Sequence, residues 1–195
     1  MFIELTDHLR CPADHEESYL VLLPDRMEDR SVREGRLGCP VCGRTYSLVE
    51  GVLNLGGEAP QPSASTLLEP EPLTALVGLS GPGGYLVLVG RPASRWREVA
   101  ELNPGVALVA VNPGPDVVDE PGISVLRSSS LPLKSRSMRG VVLGSPYGSD
   151  PGWVDAAAKV VLPGLRVAGE GQLPDSAPID LMATAGGVWV GTPHR

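Results

Sequence analysis

Two of the chain's three cysteines, Cys39 and Cys42, stand two residues apart in "LGCPVCGRTY", with Gly43 directly after them. That spacing aims two thiolates at one point, and the glycine tolerates the tight backbone such a turn requires. A closed tetrahedral metal site needs four ligands, so two more must come from elsewhere. Cys11, in "LRCPADHEE", is the only other cysteine, and its Cys-Pro context mirrors Cys39-Pro40. Beyond it lie Asp14 and His15. Imidazole suits zinc beside thiolates better than carboxylate does, and C-x3-H is an accepted spacing, which favours His15. Asp14 stays open as a competitor, with His8 behind it. Three cysteines are too few and too odd in number for a disulfide framework, and no thioredoxin-like pattern surrounds the C-x2-C pair. The expected group is a structural Zn2+ held by Cys11, His15, Cys39 and Cys42. Four protein ligands leave no open position for a reacting water.

Such a knuckle must be carried on short strands. "SYLVLLP" precedes a charged stretch, "DRMEDRSVREGR", that reads as a hairpin insert, and "TYSLVEGVLNL" reads as two short strands turning at Glu50-Gly51. With the cysteines, "LRCP" followed by "GxLxCPxCGxxYxLxxGVLxL" resembles the small zinc-ribbon activators of tRNA and protein methyltransferases over about residues 3–56. The resemblance implies a ribbon with no chemistry of its own, which binds a methyltransferase and masks an apolar surface. The chain departs from that pattern where many members have a second N-terminal cysteine.

After the ribbon, "GEAPQPSAS", residues 57–65, lacks apolar periodicity and reads as a linker. "STLLEPEPLTALVGLSG" predicts a broken helix. From Tyr85 the pattern alternates as an α/β protein does. "YLVLVG", "VALVAV", "ISVLR" and "RGVVLGS" are buried strands, "PASRWREVAEL" and "DPGWVDAAAKVVLPG" are helices, and "LRVAGEG" is a further strand. "IDLMATAGGVWVGTP" predicts a hairpin turning at Gly186-Gly187. "SSSLPLKSRSMRGVVLGS" and "AAAKVVLPGLRVAGEG" resemble two segments of class I S-adenosylmethionine-dependent methyltransferases, a likeness that covers about residues 66–195. The fold expectation is therefore α/β: a small β-rich zinc ribbon (1–56), a linker (57–65), and a truncated Rossmann-like sheet of class I methyltransferase type with flanking helices (66–195).

The same resemblance implies where a cofactor would bind, and the residues there are the wrong ones. The acid and spaced glycines of the first motif are replaced by Leu88, Gly90, Arg91, Pro92 and Ser94. Pro92 lacks an N–H, and Arg91 adds bulk where the ligand would lie. Asn112 stands where an acid would hold the ribose, and Ser128 to Ser130 fill the third acidic position. Asp116 and Asp119 are later substitutes, "SPYG" (Ser145 to Gly148) only faintly matches a base-modifying motif, and Arg91 and Arg95 could serve some other small ligand. No catalytic and no cofactor-binding residue is assigned, and S-adenosylmethionine is not expected to bind. The expected function is a non-catalytic scaffold or regulatory protein acting through protein–protein contact, with a methyltransferase or by self-association, its apolar ribbon face docking on the chain's own second domain or on another methyltransferase. An active methyltransferase with a divergent cofactor loop is the alternative.

Composition narrows the partners. Net charge is −7, and no basic stripe offers a surface for a phosphate backbone, so direct nucleic-acid binding is not expected. The N-terminus has no signal-peptide pattern and the longest apolar runs are strand-length, so no membrane contact and a cytoplasmic location are expected. Gly and Pro, 24 and 20 of 195 residues, predict short elements joined by many turns.

Overall fold

The computed structural model describes residues 1–194, and in it eleven strands form a single sheet. Those before the α/β segment are β1 (Val21–Glu28), β2 (Ser31–Gly38), β3 (Thr45–Val49) and β4 (Val52–Asn54). Next come α1 (Pro70–Val77), β5 (Tyr85–Val89), α2 (Trp96–Leu102), β6 (Ala107–Val111), β7 (Ile123–Arg127) and β8 (Met138–Leu143). The chain ends with α3 (Pro151–Val160), β9 (Val161–Glu170), β10 (Ile179–Ala185) and β11 (Val188–Pro193). Among the described residues no helix is long and apolar enough to cross a membrane.

Strand order is β1-β2-β3-β4-β7-β6-β5-β8-β9-β11-β10. The run from β7 to β9 is parallel, and in chain order it reads 3-2-1-4-5, the doubly wound arrangement with its switch point between β5 and β8. The apolar runs explain this: β5, β6 and β7 are buried on both faces, as parallel strands under two layers must be. A reversed hairpin, β10–β11, closes one side. On the other side β4 pairs in parallel with β7, Val52 opposite Val125 and Asn54 opposite Arg127, so the ribbon strands extend the sheet.

One face is covered by α1 and α2, whose Leu73, Val77, Trp96 and Val99 pack on Leu86, Leu88, Leu108 and Val125. Val77 sits so close to β8 that a Cβ on Gly140 would lie 2.5 Å from its Cγ1. The opposite face is covered by α3 and by the N-terminal segment. Met1, Leu5 and Leu9 pack with Val109, Val111, Leu131 and Leu133 in one cluster, along with the ribbon's Leu37, Leu48 and Leu53. Residues 8–10 run antiparallel to 132–134, through Arg10 N–H to the Pro132 carbonyl (2.9 Å) and Lys134 N–H to the His8 carbonyl (2.7 Å).

Three local expectations change. The charged stretch after "SYLVLLP" is the hairpin expected of it, β1 turning into β2, whereas the helix read from "DPGWVDAAAKVVLPG" stops at Val160 and its last residues open β9, with Val161 opposite Met138 of β8. The helix after β5 begins at Trp96, since Arg91–Arg95 forms a 3-10 turn. The broken helix before β5 is reduced to Pro70–Val77, ended by Gly78 at φ +62°.

Candidate functional site

The knuckle closes on itself through Gly43 N–H to the Cys39 carbonyl (3.0 Å) and Cys39 N–H to the Arg44 carbonyl (2.9 Å), with Gly43 at φ +70°. Its counterpart loop is tied by Cys11 N–H to the Ser18 carbonyl (3.0 Å) and a bridge between Arg10 and Tyr19. Together these turns bring Cys11, His15, Cys39 and Cys42 to one point, with all four donor atoms within 4.8 Å of one another. Cys11 and Cys42 sulfurs are 3.7 Å apart, and His15 Nε2 is 3.4 Å from Cys39 Sγ. A tetrahedral ion with thiolate bonds of about 2.3 Å sets its sulfurs about 3.8 Å apart and its sulfur–nitrogen edges near 3.5 Å. A disulfide would need about 2.05 Å. The four residues are positioned to bind a metal ion. Asp14 is exposed outside them, and His8 lies elsewhere, edge-on to Tyr85 at 5.1 Å.

The surroundings prepare the donors. His15 Nδ1 lies 2.6 Å from the Glu16 carbonyl, which only accepts, so Nδ1 carries the proton and the Nε2 lone pair faces the cluster. Burial pushes the Cys39 thiol up, but the backbone N–H groups of Cys42 and Val41 and then the Cys42 and Cys11 side chains outweigh it, bringing its pKa to about 6. Thiolate is the ligating form. Burial first, and Cys11 next, push Tyr46 upward, so its hydroxyl stays protonated 3.2 Å from Cys11 Sγ and donates to it.

The C-terminal ends of the parallel strands are where a doubly wound sheet holds ligands. Here the switch point is filled. Gly90 has φ +74°, and a Cβ on it would meet Tyr147 Cε2 at 2.9 Å and Pro62 Cβ at 3.5 Å. Tyr147 is fully buried, edge-on to Trp153 at 4.7 Å, and its hydroxyl donates to the Pro60 carbonyl. Ser63 N–H donates to the Ser145 carbonyl (3.0 Å), so residues 60–63 lie as a strap across the crest.

Glu170, at the end of β9 and 2 % exposed, fastens that strap. One carboxylate oxygen accepts from Leu67 N–H (2.7 Å), Leu68 N–H (3.2 Å) and the Thr66 hydroxyl, and the other accepts from Ser145 N–H (2.8 Å). Sequence reasoning passed over Glu170, because its partners lie 25 to 104 positions away. The signal that could have found it is an acid closing an otherwise apolar strand.

The motif positions are committed to packing. Leu88 is fully buried under the helices, and Pro92 is wedged against Gly144, where a Cβ would lie 2.4 Å from its Cδ. Asn112 donates to the Ser128 carbonyl (2.7 Å) and accepts from Ser128 N–H (2.9 Å), spending its amide on joining β6 to β7. Asp116 pairs with Arg91 at 2.8 Å. Asp119 turns toward the ribbon, 2.9 Å from Arg33 and 2.7 Å from the Met1 amine. Arg95 pairs with Glu69 and Glu98. Beside the strap an open cleft of about 440 Å³ remains, lined by residues that include Gln61, Asn112, Pro115, Arg127 and Ser128.

No family model matches the chain, and neither does any curated protein. Solved structures do. One is the crystal structure of the antibiotic-resistance methyltransferase Kmr, at TM-score 0.45 and 12% identity over 69% of this chain and 97% of that one. Another is the "Putative hemolysin from Streptococcus thermophilus", at TM-score 0.41 and 16% identity over 79% of this chain and 77% of that one. Scores of this size describe a loosely shared chain path and nothing about activity.

Proposed function

We propose that this chain is a non-catalytic scaffold or regulatory protein, a zinc-stapled ribbon (1–56) joined through 57–65 to a methyltransferase-like α/β unit (66–195) that no longer holds a cofactor. The observation that carries this reading is the filled crest: Tyr147 and Pro62 occupy the space above Gly90. The residues that would face a sulfonium nucleoside are an aliphatic side chain, a proline and an amide already spent on Ser128. Each hydrogen bond a ligand fails to make there forgoes about 1 kcal/mol, and more where a carboxylate is missing.

Three thiolates and an imidazole form a complete zinc set with no position left for water, so the metal's role is to staple the turns that carry it. The resemblance to methyltransferase activators implies an apolar ribbon face seeking a partner. In this chain Leu48, Leu53 and Leu55 share a core with Val111 and Leu126, so the face is met by the protein's own sheet. Its work then falls to other surfaces and a protein partner, in a reducing compartment such as the cytoplasm, where the thiols persist.

Calorimetry with S-adenosylmethionine, together with transfer of a labelled methyl group by the purified protein, tests the reading. No measurable heat and no transfer are expected, with one zinc per chain by elemental analysis. Micromolar affinity or any turnover would restore the active methyltransferase with a divergent loop.

A further inference from the structure

The strand register lines up one row of side chains across four neighbouring strands. Arg36 on β2 is opposite Ser47 on β3, Ser47 is opposite Asn54 on β4, and Asn54 is opposite Arg127 on β7. Partners in register share a face, and this face is the one opposite Leu37, Leu48, Leu53 and Leu126. Helices cover it over the central strands. Over the ribbon it is bare: Arg36, Ser47 and Asn54 are exposed and Arg127 is half-buried.

The row forms part of two open clefts, of about 440 and 430 Å³, that meet at Asn54. Its members are hydrogen-bond donors. Asn54 is exposed and its Oδ1 accepts from Gly56 N–H (2.9 Å), which leaves its amide N–H groups available to donate. Arg127 donates to the Pro113 carbonyl at 2.5 Å, with donors to spare. Although the chain has 23 acidic residues, neither cleft is lined by an Asp or Glu, and neither arginine is in an ion pair among the described residues. Asp116, beside Gly114 at the rim, is already held by Arg91. Prolines 60, 62, 113 and 115 form an apolar wall, and Leu23, 53 % exposed, continues the row beyond Arg36.

We propose that this row is a docking groove for an extended acidic segment of a partner protein. The positive floor in an otherwise acidic molecule selects carboxylates, and the proline wall and Leu23 receive apolar side chains between them. Three strand spacings separate the arginines by about 14 Å, the length of about four extended residues, so the segment carries two acids about four positions apart. The occupant rests on the scaffold reading above; the groove itself does not.

The probe is a fluorescein-labelled decapeptide of alternating Glu and Ala, with Gln-Ala and Lys-Ala counterparts, read by anisotropy and by the arginine Nε–Hε NMR signals. The acidic peptide is expected to bind and to move the Arg36 and Arg127 signals, leaving that of Arg139, which is bound to carbonyls of residues 80–83, unmoved. Arg36→Gln, an exposed change that keeps the fold, weakens binding about five-fold. Arg36→Glu weakens it further, and Arg127→Lys retains most of it. Equal binding of all three peptides, or unmoved Arg36 and Arg127 signals, overturns the groove. If pyrophosphate shifts Arg127 while the peptide shifts neither arginine, the site belongs to a small anion and the proposal fails. Binding of S-adenosylmethionine would instead sink the scaffold reading and leave the peptide result to be judged by itself.

Discussion

Glu170→Gln is the sharpest test of how the crest is held shut. The carboxylate is 2 % exposed and accepts from four donors, three of them backbone N–H groups, with no cation paired to it among the described residues. An amide keeps one acceptor oxygen and turns an NH2 toward the other side. Whichever way it is placed, at least one backbone N–H, that of Ser145 or those of Leu67 and Leu68, faces a donor. A buried N–H left unsatisfied costs about 1–3 kcal/mol, and the surviving bonds lose their charge assistance. Because these contributions overlap, the expected loss is about 2–4 kcal/mol in total. In a chain of 195 residues that lowers Tm by about 10 °C. Thermal unfolding followed by circular dichroism reads the total, and hydrogen exchange reads its location: Leu67, Leu68 and Ser145 amides lose protection first, while β5 and β6 keep theirs. A variant within about 0.5 kcal/mol of wild type, with those three amides still protected, would refute the role given to Glu170.

Cobalt(II) added to the metal-free protein is expected to give tetrahedral d–d bands and a thiolate charge-transfer band, lost in Cys42→Ser and His15→Ala and kept in Asp14→Asn. If a metal is bound there, chelation is expected to loosen the two turns that carry Cys11, His15, Cys39 and Cys42, read as lost amide protection in residues 10–19 and 39–44, while the strands that share the main core keep theirs. Gly148→Ala costs about 3 kcal/mol or more, since its Cβ would lie 2.3 Å and 2.6 Å from the Glu170 backbone O and N. Gly38→Ala, with nothing within 4 Å, is the near-neutral control for the same denaturation assay. His8 is held below its ordinary pKa by burial, with Asp7 opposing that and Lys134 and Arg10 adding to it, and its Nδ1 has no hydrogen-bond partner among the described residues. Its neutral form is the folded one, so its contribution is full above the unfolded histidine pKa of about 6.5 and falls as pH drops through the lower folded value. Denaturation of wild type and His8→Gln across that window shows a steeper acid loss in wild type, and parallel curves would refute it.

Much of the fold was legible because its strands are apolar runs of the right length between turn residues. "YLVLV", "ALVAV" and "ISVLR" are strands β5 to β7, and Gly186-Gly187 makes the last hairpin's turn. The knuckle residues were legible for a similar reason, since C-x2-C is a local signal. Which residue after Cys11 joins them was decided by tertiary geometry, through the Glu16 carbonyl that fixes the His15 ring. The strap was not legible. "APQPSAS" has no periodicity, and its order comes from Tyr147 and Glu170, 87 and more positions away. Nor does any sequence pattern announce that β4, three residues long, would pair with β7 across the intervening chain.

These long-range features have one physical logic. A doubly wound sheet needs cover on both faces, yet no α-helix lies between β7 and β8. The face that crossover would shield is closed instead by Met1, Leu5 and Leu9, while β4 satisfies the free edge of β7. The same pairing fixes where the strap begins, since Leu55 N–H is bound to the Arg127 carbonyl at 2.8 Å. Glu170 fixes where it ends. A cofactor entering the switch point must lift residues 60–68, breaking the bonds made by Pro60, Ser63, Thr66, Leu67 and Leu68. At about 1 kcal/mol net for each, the displacement costs about 5 kcal/mol. That is enough to turn an intrinsic micromolar affinity into a millimolar one, before the missing carboxylates are counted. On the reading proposed above, closure of the crest and the residues at Leu88, Asn112 and Ser128 act in the same direction: the strap must be displaced before a ligand enters, and no carboxylate stands at those three positions to offset the cost.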